Sequence, residues 1–163
     1  MKGKYVAGGL VGFTLIFGAA LYYANQYAYY RKVSLGPELA MTLVPKAGGA
    51  PVPLSVADFQ GIDASSSPIR FRACFTTAMP LDEIAARFTP YKGAEPLLAP
   101  HWFGCFNAKA ISLALKAGRA QAFLSRRRVA KDVDRIITVF PDGRAFAWQQ
   151  LDPSVPQDTS MVE

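Results

Sequence analysis

From Tyr5 to Ala24 the chain runs for 20 residues without a formal charge. At about 1.5 Å of rise per residue, a helix of that length reaches roughly 30 Å, the thickness of a bilayer's hydrocarbon core. No polar face interrupts it, as one would in a core helix of a soluble domain. The pattern therefore predicts a transmembrane helix. Tyr22, Tyr23, Tyr27, Tyr29 and Tyr30 crowd its C-terminal end, where rings with one wet edge anchor at the membrane boundary. Lys2 and Lys4 precede the run, and Arg31 and Lys32 close it. A cleaved secretory signal with Gly18-Ala19-Ala20 as its exit is the competing reading, but the apolar run continues into Leu21. Gly8, Gly12 and Ala19 share one helical face, open to close approach by a second helix. Glycine and alanine are also simply common in spans.

Beyond residue 32 the periodicity shortens. Strands are expected over 38–44, irregularly over 54–62, over 69–76, over 120–125, over 135–140 and over 144–151. In 69–76, apolar Ile69, Phe71, Ala73 and Phe75 alternate with Arg70, Arg72, Cys74 and Thr76, so one face is core. The two arginines of the other face are expected to be solvated or ion-paired, the alternative being recognition of an anion or a partner's carboxylates. Residues 80–88 read as a short helix with Pro80 in its first turn and Asp82 and Glu83 at its positive end. A second helix, 108–117, is capped by Asn107 and stopped by Gly118. Pro141-Asp142-Gly143 predicts the tight turn of a hairpin. The fold class is α+β: an N-terminal transmembrane helix, then one small domain with a mainly antiparallel sheet and two helices on one side. The divisions are an anchor with basic flanks, 1–32, a domain, 33–151, and a flexible tail, 152–163.

Charge changes the picture less than the total suggests. The net +6 arises from 18 Lys and Arg against 12 Asp and Glu, and setting aside the four basic residues beside the span leaves 14 against 12. The domain is nearly neutral, which argues against a nucleic-acid surface. A short basic N-terminus ahead of a span and a large C-terminal domain is the arrangement of an uncleaved signal anchor, with the domain outside the cytoplasm. Cys74 and Cys105 are the only cysteines, and an even pair in an oxidising compartment is most simply a disulfide. Two alternatives stand beside it: free buried thiols, or a metal or redox site that adds His101, the single histidine.

Arg126, Arg127 and Arg128 form the most conspicuous charged run. They are expected either to lie in a solvated loop beside Asp132 and Asp134 or to contact a partner or anionic lipid. Trp102, in a stretch rich in Pro and aromatics, is either laid on the core or part of an exposed docking patch. No GxSxG, P-loop, HExxH or GxGxxG pattern occurs, and one histidine leaves few ways to build a proton relay. No catalysis and no cofactor are expected.

The stretches 65–75 (SSSPIRFRACF), 99–106 (APHWFGCF) and 140–148 (FPDGRAFAW) together resemble an uncharacterised family of short single-span bacterial membrane proteins. The resemblance implies a bacterial inner-membrane location and carries no catalytic residues; with the signal-anchor arrangement, that location gives a cytoplasmic N-terminus and a periplasmic domain. The expected function is a noncatalytic accessory or assembly subunit of a larger inner-membrane complex, the respiratory chain being one setting. Its partners are the bilayer and an integral membrane protein, not nucleic acid. The alternative is a periplasmic thiol-redox or copper-handling protein using Cys74, Cys105 and His101.

Overall fold

The computed structural model describes residues 2–156, which fall into two compact units divided between residues 30 and 31. The first is an α-helix, α1 (Gly3–Tyr23), that continues as a π-helical turn over Ala24–Ala28. Together they form a helix of 26 residues whose most apolar 18-residue stretch has a mean hydropathy of 1.7, long and apolar enough to cross a membrane. None of its side chains is buried by protein.

The second unit is α+β. Its strands are β1 (Tyr30–Val33), β2 (Thr42–Leu43), β3 (Val52–Pro53), β4 (Ala57–Ala64), β5 (Arg72–Thr76), β6 (Gln121–Ala130), β7 (Val133–Val139) and β8 (Arg144–Leu151). Six form one sheet in the order β1-β4-β5-β8-β7-β6, and β2 pairs with β3 as a separate ribbon. Two helices, α2 (Leu81–Arg87) and α3 (Ala108–Lys116), complete the domain.

Strand parity sets the core. Phe71, Ala73 and Phe75 point to one face of the sheet with Ala145, Ala147, Ile137 and Val139. Met41, Leu43 and Leu54 of the ribbon region, Ile84 of α2 and Phe88 just after it cover that face. The opposite face is covered by 94–107. Phe106 lies edge-on to Phe146 and Trp148, with ring centroids 6.1 and 6.3 Å apart. Because Asn107 follows Phe106 directly and caps α3 by accepting from Ala110 N at 3.0 Å, α3 begins on the face opposite α2. The two helices do not share one side, contrary to the sequence-based expectation.

Several strands also differ from expectation, each for a packing reason. β1, read as the end of the span, is the sheet's edge strand. Gly61 of β4 has no room for a Cβ because Val33 and Phe59 lie within 2.8 and 2.7 Å of where it would stand. The strand expected over 38–44 shrinks to Thr42–Leu43, since a turn closes between Gly36 and Leu39 through two backbone bonds of 3.1 Å. The irregular strand expected over 54–62 is β4, which starts later, at Ala57, and runs on to Ala64, while the separate short strand β3 lies just before the expected range and serves a different sheet. The arginine run does not break its strand: β6 continues through it to Ala130, with register shifts on either side of Arg126. Residues 152–155 close a turn in which Asp152 N donates to Asp132 O at 2.8 Å. The remainder of the expected tail, 157–163, lies outside the described residues.

Candidate functional site

The face of the sheet that carries the core becomes polar at one end. Arg126 of β6 stands directly across from Arg135 of β7, and Arg135 across from Gln149 of β8. With Asp63 of β4, Glu38 and Arg128, these residues line an open cavity of about 530 Å³. A second lobe of about 710 Å³ adds Arg31 of β1 and shares Glu38, Asp63 and Arg135, so the two form one groove. Arg135 lies over the Phe71 ring with its guanidinium 4.7 Å from the centroid. The Gln149 amide is oriented by its neighbours: its oxygen accepts from Arg135 Nη2 at 2.9 Å and its nitrogen donates to Pro68 O. Burial lowers the pKa of Arg135, the Arg126 charge lowers it further, and Asp63 pulls the other way. Among the described residues, no ion pair within 4.0 Å joins Arg126, Arg128 or Arg135 to a carboxylate.

The groove's shape depends on a buried carboxylate behind it. Asp134 is fully buried on the opposite face of β7. Its Oδ1 accepts from Arg128 N at 2.9 Å, and its Oδ2 accepts from Tyr91 Oη at 3.2 Å and Arg127 Nη1 at 3.4 Å. Arg127 also reaches Asp152 Oδ2 at 3.8 Å. The bond to Arg128 N holds that residue at φ 49°, in the left-handed region where a long side chain is uncommon. Arg127 is thus directed to the carboxylates, while Arg126 and Arg128 both reach the groove. Burial, followed by the charge and hydrogen bond of Asp134, raises the Tyr91 phenol above its ordinary value.

On the same covered face, Cys74 of β5 and Cys105 form a disulfide with Cα atoms 6.3 Å apart, as expected from the pair. Arg72 departs from expectation. It is only 3% exposed, because 94–107 lies over the face that parity alone would leave to solvent. Its Nε donates to Leu97 O at 2.9 Å, Nη1 to Ile69 O at 2.7 Å and Phe71 O at 2.6 Å, and Nη2 to Leu98 O at 3.0 Å. The guanidinium also faces the Phe106 ring at 5.8 Å. Bridge and arginine together fasten the segment to the sheet.

Residues 41–158 match the family of unknown function DUF6446. The chain belongs to that family. The DUF6446 match spans β2 through β8, both cysteines, Arg72 and the three groove arginines of β6 and β7, while α1, Arg31 and Glu38 precede it. No curated protein and no solved structure matches the chain. The family relation agrees with the uncharacterised family that the sequence resembles.

Other residues singled out by sequence are placed as follows. Gly8, Gly12 and Ala19 lie on α1, and a Cβ at Gly8 or Gly12 would meet nothing within 4 Å. Tyr22 and Tyr23 end α1, Tyr27 lies in the π turn with its ring stacked on Tyr23 at 5.7 Å, and Tyr30 opens β1. Trp102 is half-buried, edge-on to Phe103 at 6.2 Å. His101 is exposed. Among the described residues no group of three His, Cys, Asp or Glu side chains is placed to hold a metal ion. The groove itself was not anticipated: Glu38, Asp63, Arg135 and Gln149 carry no local signal, and only Arg126 and Arg128 stood out as a charged run.

Proposed function

We propose that the protein is a noncatalytic, membrane-anchored accessory or assembly subunit of a larger bacterial inner-membrane complex, with its N-terminus in the cytoplasm and its domain in the periplasm. The observation that carries this reading is the 26-residue apolar helix, which buries none of its side chains against the chain's own residues. Such a surface belongs in lipid or against another span. The Gly8, Gly12 and Ala19 face is the docking side by its spacing, which places small residues together and lets a second backbone approach closely. The disulfide supports a domain in an oxidising compartment. A copper-handling role has less support, since both sulfurs are bonded to each other and neither is a free thiolate ligand.

Purification of the full chain in mild detergent, followed by identification of co-purifying proteins, tests the reading. A stoichiometric integral membrane companion is the expected result, and it is lost when Gly8 and Gly12 are both changed to Leu. A clean monomer with no companion overturns it. Alkaline phosphatase fused after Pro156 reports the compartment separately: an inactive fusion that is nonetheless expressed would place the domain in the cytoplasm.

A further inference from the structure

We propose that the groove lined by Arg126, Arg128 and Arg135 is an oxyanion site that takes a phosphate group, from a soluble phosphate or from a lipid headgroup. Three arginines line one cavity, and Arg126 and Arg135 are direct cross-strand partners. Like charges placed opposite each other on a sheet are destabilising, so the arrangement has a cost that the fold itself does not require. The left-handed conformation at Arg128, maintained by Asp134, adds a further cost. Costs concentrated around one cavity are expected where a ligand offsets them.

The charge balance and geometry specify the class. Four arginines, counting Arg31 in the adjoining lobe, face two carboxylates, Glu38 and Asp63. That leaves an excess of about two positive charges, enough to balance the single charge of a phosphodiester headgroup or the nearly two of a phosphomonoester near neutral pH. Planar guanidinium forks match the oxygens of phosphate, and Arg135 is already oriented by the Phe71 ring and the Gln149 oxygen, so little freedom is lost on binding. The site does not depend on the accessory role, since all of its residues lie within the domain.

The test uses the full chain in phosphatidylcholine nanodiscs, titrated calorimetrically with inorganic phosphate, with thermal midpoints also read in discs containing phosphatidylglycerol. Phosphate binding that weakens about tenfold or more in Arg126→Gln/Arg128→Gln, but persists in the control Lys92→Gln/Arg119→Gln, supports the site with a soluble source. A midpoint rise caused by phosphatidylglycerol, lost in the same arginine variant and kept in the control, supports the site with a headgroup source. All four substituted residues are exposed, so both variants are expected to fold. Arg135→Lys retains the charge but loses the fork, and weaker phosphate binding at an unchanged midpoint is the expected result. No response to either probe, equal responses in variant and control, or tighter binding of succinate than of phosphate overturns the proposal.

Discussion

Asp134 keeps three donors around one carboxylate that has no contact with solvent. Asp134→Asn removes the charge and leaves at least one of those donors mismatched, so we expect a loss of about 2–3 kcal/mol in chemical denaturation of the full chain in micelles. Tyr91 gives a separate, pH-dependent signature. Its folded pKa is raised, first by burial and then by Asp134, so the folded state holds the phenolic proton more tightly than the unfolded state. The resulting stability is complete below the ordinary phenol value of about 10 and declines as pH rises above it. Tyr91→Phe should flatten that alkaline decline while leaving the slope between pH 7 and 9 unchanged, as read from unfolding midpoints across a pH series. Arg72 shows how far alternation carries a reading of individual residues. Its parity on β5 was legible, but its burial was not, because the cover comes from Leu97 and Leu98, more than 20 residues along the chain.

The elements that were legible are those whose signals are local. Asn107 caps α3, Pro80 precedes α2, and Pro141-Asp142-Gly143 makes the β7–β8 turn, with Gly143 at φ 84° beside the Thr77 carbonyl. The elements that were missed depend on distant partners. β1 has too few residues to show a period and exists because Val33 fits over Gly61. β6 continues through three arginines because β7 pairs with it and Asp134 secures the distortion. The disulfide binds one such nonlocal element, 94–107, to β5. On the chain-entropy model, a bridge spanning 31 residues contributes about 3–4 kcal/mol. Reduction, or Cys74→Ala/Cys105→Ala, should lower unfolding free energy by that order. It should also increase amide hydrogen exchange in 94–107 well before β7 and β8 respond. Equal exchange across all of these segments would contradict the fastening role given to the bridge.

Across the whole molecule, the α+β class and the apolar N-terminal helix were legible, while strand order and the groove were not. The groove draws on β1, β4, β6, β7 and β8, so residues about 100 positions apart meet only through the order of the sheet. If the domain folds in an oxidising compartment, intact mass measured from membranes without reductant should be lighter by two hydrogens than after reduction. β6 lies at the border of the sheet, and its first half is covered by backbone bonds from Val44 and Tyr91 and by the bond from Leu124 to Thr89. Among the described residues, no further backbone pairs with the outer side of its second half, where the three arginines and the left-handed turn of the chain occur. A bare border of this kind invites ladder growth between neighbouring molecules, and charge with local twist discourages it. Crowded copies in one bilayer should therefore stay separate through this border, whereas threonine at all three arginines should let them join into fibrillar, thioflavin-binding assemblies.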